Sequence, residues 1–385
     1  MRMHLKRTVV IALAVVLAAT IAIVGFHSTS ASSLGASDSS PSTGNNPNQV
    51  RSVVASQTRS TNDPSTWSNK RLAAQLVLAG VGSNSLASTH SWSKAGIAGV
   101  VLFGNPPGNL KSKIQQTRSK SPAKRLIVAS DEEGGAVQRL ARLVGRYPSA
   151  ATIGRTKTVH QTEKLARGLG KKLKRLGVNS DLAPVADLLY RGSWTARDGR
   201  AFKNNPTQNG KYVAAFAKGL QRSGVSATVK HWPGGGAVAD THVGAGKTPN
   251  WSSLKRRDLV PFTAAFKAGA ASVMVSHARV PGLTGGLPAT QSARAYQALR
   301  QQAGDRVVIM TDSLAMAAVT SSMRQSQTEA AIRALRSGAD LALVQGANPK
   351  TMIANIAKAI SSGKINRAKA VASAKRVLAW QLRFK

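Results

Sequence analysis

Cysteine is absent from the 385 residues, which excludes disulfides, thiolate metal sites, thiol catalysis and a lipidated N-terminal cysteine. Acid is scarce: 15 Asp and Glu face 54 Lys and Arg, for a formal net charge of +39. No helix-turn-helix, zinc-finger or RNP-type pattern accompanies this excess of cations. The basic residues are spread along the chain instead of forming one arm, so specific nucleic-acid recognition has no motif behind it. No phosphate cradle of the G-x-x-x-x-G-K-S/T or G-x-G-x-x-G kind surrounds Gly134 and Gly135. No internal repeat is visible. In so acid-poor a chain, carboxylates that close apolar runs or sit in Gly-rich loops mark where chemistry is to be sought.

One uncharged stretch is long. Arg2, Lys6 and Arg7 precede the apolar run from Val9 to Phe26, with the small residues Thr29, Ser30 and Ala31 after it. This is the pattern of a cleaved export signal, and it nears the roughly 20 residues that let an uncleaved anchor span a bilayer. Either reading places the body outside the cytoplasm, with a membrane contact at 1–31 if the segment stays. Residues 32–66 are rich in Ser, Thr, Asn, Gly and Pro and read as a tether. The globular body is expected at 67–385. Without the three cations of the first 31 residues the chain still carries +36. Such a field attracts polyanions, which for an exported protein means anionic cell-wall polymers and lipid headgroups. A generally basic surface is the plainer alternative.

Eight short apolar runs read as buried parallel strands: Gln75 to Ala79, Gly99 to Phe103, Leu126 to Ala129, Ser180 to Pro184, Ser226 to Lys230, Ser272 to Ser276, Val307 to Thr311 and Leu341 to Gln345. Helical spacing lies between them, as in Leu165, Leu169, Leu173 and Leu176, or Val213, Phe216 and Leu220. Eight strands alternating with helices predict an α/β fold of the (β/α)8 TIM-barrel class, with a doubly wound sheet as the alternative. Asp131, Lys230, His231, His277 and Asp312 then fall at or just beyond the C-terminal strand ends, which in a barrel converge on one face.

Asp312 ends the run V-V-I-M-T and is placed to act as a carboxylate nucleophile; capping a helix through Leu314 and Met316 is an equal alternative. Asp240-Thr241-His242 sits in a Gly-rich loop after the fifth run. A carboxylate two residues from an imidazole can orient and charge it, so His242 could protonate a leaving oxygen and later activate water; a surface turn is the alternative. A separate carboxylate and proton donor are the parts a retaining glycosidase needs. Lys230 and His231 could bind sugar hydroxyls, or be a rim lysine and a core histidine. Asp131-Glu132-Glu133 could accept hydrogen bonds from vicinal hydroxyls, hold a hard cation, or form an acidic turn paired to Arg139. Arg200 could bind an acyl oxygen or hydroxyl, or be one more surface arginine. Ser276 and His277 could wall the pocket, and Trp232 could stack on a sugar face or pack the loop.

These residues resemble glycoside hydrolase family 3, in its single-domain bacterial β-N-acetylglucosaminidase branch. The resemblance runs in order through G-V-V-L-F-G-N (99–105), D-E-E-G-G-A-V-Q-R (131–139), D-L-A-P-V-A-D (181–187), R-A-F (200–202), K-H-W-P-G (230–234), D-T-H (240–242), V-M-V-S-H (273–277) and T-D-S-L-A-M (311–316). Each motif is weak alone; their order and spacing together are specific. The resemblance implies a retaining mechanism on a (β/α)8 barrel. By motif, Asp312 is the implied nucleophile and Asp240 with His242 the implied acid/base dyad. Asp131, Arg139, Arg200, Lys230 and His231 are the implied ligands of the terminal sugar. Two positions depart from the branch: Gly235 stands where a loop histidine is usual, and Ser313 where a second Asp is common.

The expected function is therefore an exported or membrane-tethered exo-β-N-acetylhexosaminidase. It would act through a covalent glycosyl-aspartate, on terminal N-acetylglucosamine of peptidoglycan fragments or chitooligosaccharides. It would need no metal or organic cofactor. A phosphorylase with the same dyad, and a catalytically inactive basic cell-wall-binding protein, are the alternatives.

Overall fold

The strands form where aliphatic runs too short for a helix are buried on both faces. The computed structural model describes residues 62–190, 193–235 and 246–385. Eight parallel strands follow one another in chain order: β1 (Val77–Gly82), β2 (Gly99–Phe103), β3 (Ile127–Ser130), β4 (Ser180–Asp181), β5 (Ser226–Trp232), β6 (Ser272–Val275), β7 (Val308–Thr311) and β8 (Ala342–Gln345). β8 pairs with β1, with Val77 opposite Ala342. A parallel bridge from Met310 to Leu341 joins β7 to β8 and closes the ring. The expected barrel is the observed fold.

The strands come close to the expected runs, with two instructive differences. Gln75 belongs to the preceding helix α1 (Asn69–Gln75), and β1 begins two residues later. Leu72 through Ala79 is apolar across that junction except for Gln75, which is itself buried, and periodicity alone cannot divide a helix end from a strand start. β4 stops at Asp181; three residues on, Pro184 has no N–H to give a ladder.

The outer helices used below are α2 (Leu110–Lys120), α3 (Val159–Leu176), α4 (Pro206–Arg222), α5 (Leu259–Lys267), α6 (Ala293–Ala303), α7 (Gln327–Ser337), α8 (Pro349–Ser361) and α9 (Arg367–Arg383). Local signals set their ends. Thr158 and Gln161 form a capping box at the start of α3, and Gly177, at φ 90°, ends it in the left-handed conformation that glycine adopts without strain. Asn205 caps α4, with Pro206 in its first turn. Leu169 and Leu173 of α3 and Val213, Phe216 and Leu220 of α4 are buried, as their spacing predicted. α3 and α4 pack closely because Gly219 lacks a side chain: a Cβ there would lie 2.3 Å from the Glu163 carbonyl oxygen.

The barrel interior holds Leu78, Val101, Ile127, Met310 and Leu341 in one cluster with Val377 and Trp380 of α9 and Phe384 just after it. Trp380 Nε1 donates to Ser226 Oγ at 2.7 Å, and Asn179 Nδ2 donates to the Phe384 carbonyl at 2.7 Å. Both partners stand at strand N-termini, so α9 plugs that end and leaves the C-terminal mouth open.

The expected signal or anchor at 1–31 and most of the tether lie outside the described residues. The last tether residues do not: Pro64–Thr66 is a turn capped by Asp63, and Arg367 donates to the Ser65 and Trp67 carbonyls. Among the described residues no helix is long and apolar enough to cross a membrane.

Candidate active site

Strand β3 runs on into D-E-E, and a strand's period of two turns alternate side chains to opposite faces. Asp131 and Glu133 accordingly share a partner on the pocket side: Lys230 Nζ, from β5, lies 2.5 Å from Asp131 Oδ1 and 2.7 Å from Glu133 Oε1. Arg200, from the loop after β4, grips Glu133 with two bonds, Nε to Oε2 at 2.7 Å and Nη2 to Oε1 at 2.8 Å. All four side chains are buried. Buried charges are tolerated only when paired in this way. Burial alone would raise the Glu133 carboxyl, but the Lys230 and Arg200 cations outweigh it and hold it at about 2. Burial opposes the Lys230 charge, yet Asp131 and Glu133 raise its pKa above the ordinary lysine value. Arg139 stands at the rim, its Nε 3.9 Å from Asp131 Oδ2.

Asp312 follows β7 directly, and its amide donates to the Val275 carbonyl at 2.9 Å. Its Oδ1 accepts the Ser313 amide at 2.7 Å. The chain from Ser313 to Thr320 makes turns and not a helix, so Asp312 caps nothing and the helix-cap alternative falls. Burial works to raise the Asp312 carboxyl, but His277, His231, the Ser313 amide and Lys230 together hold it below its ordinary value. A depressed pKa keeps a carboxylate ionised, the state a nucleophile requires.

His277 is not a pocket wall. It is fully buried, with Nε2 2.9 Å from the Ser313 carbonyl and Nδ1 2.8 Å from Thr290 Oγ1. A carbonyl only accepts, so Nε2 carries the proton and secures the turn that follows Asp312. His231 is tied through Nδ1 to Asp187 Oδ2 at 2.8 Å. Asp187 Oδ1 also accepts the amides of His231 at 3.1 Å and Gly235 at 2.6 Å. Asp187 thus anchors the start of the Gly-rich loop, a role its place in D-L-A-P-V-A-D did not disclose. A Cβ at Gly235 would come within 3.1 Å of Asp187 Oδ2, so the residue that replaces the usual histidine sits tight against this carboxylate.

One cavity of about 660 Å³ opens at this mouth and is lined by Asp131, Arg139, Arg200, Lys230, His231 and Asp312 together. These are six of the eight site residues expected from the sequence. The other two, Asp240 and His242, lie outside the described residues. Two further expectations are corrected and one alternative falls. The acidic triplet is not one hydroxyl-binding cluster: Asp131 and Glu133 pair with cations in the pocket, while Glu132 is buried on the opposite face with its amide donating to Asp181 Oδ1 at 3.0 Å. Arg200 is no loose surface arginine, because Glu133 holds it. Trp232 is fully buried, donating to Gln302 Oε1 at 2.9 Å and meeting Trp251 edge-on, so it packs the loop base and is not available to stack on a sugar. Among the described residues no group of three or more His, Cys, Asp or Glu is arranged to hold a metal ion.

Set beside known proteins, this geometry has many counterparts. The family model described as the glycosyl hydrolase family 3 N terminal domain matches residues 72–380. The beta-hexosaminidase LpqI of Mycobacterium tuberculosis is 39% identical over 226 residues, which cover 57% of this chain and 58% of LpqI. The chain thus spans less than two thirds of that relative. The beta-hexosaminidase of Stenotrophomonas maltophilia is 35% identical over 260 residues, covering 63% of this chain and 76% of its own. A solved family 3 glycosyl hydrolase from Mycobacterium smegmatis superposes with a TM-score of 0.76 at 32% identity, over 82% of this chain and 98% of its own. With a family match across nearly the whole barrel, and with the strand-end residues gathered in one cavity, this chain belongs to glycosyl hydrolase family 3.

Proposed function

We propose that the protein is a retaining exo-β-N-acetylhexosaminidase that releases terminal β-linked N-acetylglucosamine. The observation that carries this reading is the single cavity in which the depressed carboxylate of Asp312 faces the Lys230–Asp131–Glu133–Arg200 network. Relatives named beta-hexosaminidase support this substrate class. In the reaction, Asp312 attacks the anomeric carbon as the glycosidic C–O bond breaks, and His242, oriented by Asp240, protonates the departing oxygen. A covalent glycosyl-aspartate results. His242 then takes a proton from water, whose oxygen attacks the same carbon and frees Asp312. Asp131, Lys230, Arg139, Arg200 and His231 hold the sugar, and no step requires a metal or organic cofactor.

The natural substrates of this reading are peptidoglycan fragments or chitooligosaccharides met outside the cytoplasm. Surface charge supports that address. The neighbouring helices α2, α3 and α4 carry thirteen Lys and Arg against the single acid Glu163. Helices α5 to α8, of similar total length, carry seven. The denser face would hold the enzyme on an anionic wall polymer.

The test is hydrolysis of a chromogenic aryl-glycoside panel by the purified body, with and without phosphate. Release from the β-N-acetylglucosaminide alone, independent of phosphate, is the expected result. Phosphate-dependent cleavage yielding the sugar 1-phosphate would replace the hydrolase by a phosphorylase. No release, with wall binding retained, would leave only the binding protein.

A further inference from the structure

Glu132 and Asp181 form the most deeply buried pair of acids next to the site. Neither side chain reaches solvent. The Glu132 amide donates to Asp181 Oδ1 at 3.0 Å, which brings the two residues together. Glu132 Oε1 accepts from Ser130 Oγ at 2.6 Å and from the Leu140 amide at 3.0 Å. The remaining oxygens, Glu132 Oε2 and Asp181 Oδ2, are both buried without a protein hydrogen-bond partner. Two ionised carboxylates buried in the same region without a cation bonded to either are far too costly to persist. The charges that face the pair do not relieve this: Asp131 opposes ionisation, and Arg139 and Lys230 only partly favour it.

We propose that Glu132 and Asp181 share one proton, and that the neutral Glu132 carboxyl is the positioning residue that keeps its neighbours Asp131 and Glu133 aimed at Lys230 in the pocket. The role follows from strand geometry. Glu132 is bonded back to Ser130 before it and Leu140 after it, across the short antiparallel hairpin of Glu132–Gly134 and Val137–Gln138, so it pins the segment from behind while the two flanking acids face forward. Repulsion of a second negative charge would push the segment off β4. Both groups shift the way burial demands: burial first, then the Asp131 charge, lifts Glu132 to about 7, and burial above all raises Asp181 well above the ordinary aspartate value. The importance of this device for turnover rests on the hexosaminidase reading; its existence does not.

The isosteric Glu132→Gln variant separates the two. Gln keeps the shape and carries no titratable proton. A group whose folded pKa is raised stabilises the fold below its unfolded value, near 4.5, and that contribution is lost as pH rises through about 7. The Tm of the wild type relative to E132Q is therefore expected to fall by about 5 °C between pH 5 and pH 8. Infrared spectra at pH 6 should show a protonated carboxyl band that E132Q removes. With an aryl glycoside whose good leaving group needs no proton, the alkaline limb of kcat/KM should move up by about one pH unit or more in E132Q. Parallel Tm curves with no lost band would overturn the proposal. The expected Tm and infrared results without glycosidase activity would uphold it and overturn the functional reading alone. Asp181→Asn, which keeps an oxygen for the Glu132 amide, should likewise reduce the pH slope if E132Q fails to fold.

Discussion

The cavity and the α2–α4 face use charge in opposite ways. The cavity lining holds four acids, Asp131, Glu133, Asp198 and Asp312, beside three Lys and Arg. The outer face holds thirteen cations and one acid. Inside, two of the three cations are fixed: Lys230 and Arg200 are nearly inaccessible and bonded to named oxygens. Outside, Lys164, Arg167, Lys171, Lys174 and Arg175 are exposed along one helix. Low dielectric makes the first set strong and specific, and salt screens the second. A chain with few acids has placed them where direction matters and left the surface to long-range attraction.

Removing the Asp312 carboxylate should separate the regions most sharply. Asp312→Asn is expected to lower kcat by on the order of 10⁴-fold or more, while circular dichroism, Tm and retention on an anionic polymer stay as in the wild type. Lys230→Met attacks the fixed network instead. It strands Asp131 and Glu133, and a broken buried pair costs about 3–5 kcal/mol; urea unfolding should report that loss together with a collapse of kcat/KM. If stability is unchanged, the network is not the rigid element described here.

Glu133 sharpens the contrast through pH. Its folded pKa is lowered to about 2, so its contribution is present above the unfolded value near 4.5 and is lost as pH falls toward 2. The stability gap between wild type and Glu133→Gln, measured by urea at pH 7, 4.5 and 3, should be widest at pH 7 and narrow below 4.5. The smallest effect on chemistry belongs to the outer face. Replacing Lys164, Lys171, Lys172 and Lys174 together by Glu should weaken retention on an anionic polymer by about tenfold or more at low salt. Cleavage of a small aryl glycoside should stay within about twofold of the wild type. Unchanged retention would remove this face from the binding account.

Much of this arrangement was legible beforehand. Aliphatic runs at β2, β6, β7 and β8 are short, apolar on both faces and bounded by turn signals, so strand type and length follow locally. Asp312 and Lys230 were legible as site residues because each closes such a run. Glu133, Asp187 and His277 were harder. Their roles depend on Arg200, Gly235 and Ser313, which lie 67, 48 and 36 residues away along the chain. Trp232 misled for the same reason: an indole beside P-G-G looks available until Gln302 and Trp251 are seen to occupy it.

What the amino-acid order determined by itself is the alternation of strand and helix, the capped helix ends and the ordered set of strand-end motifs. These depend on spacing and on neighbours a few residues apart. Tertiary structure alone decided that Asp131 and Glu133 turn to the pocket while Glu132 turns to Asp181. It also decided that α9 plugs one end of the barrel and leaves the other open. A strand's two faces are equivalent until something packs against them, and the cation that distinguishes them here is Lys230, 99 residues from Asp131 in the chain and 2.5 Å from it in space.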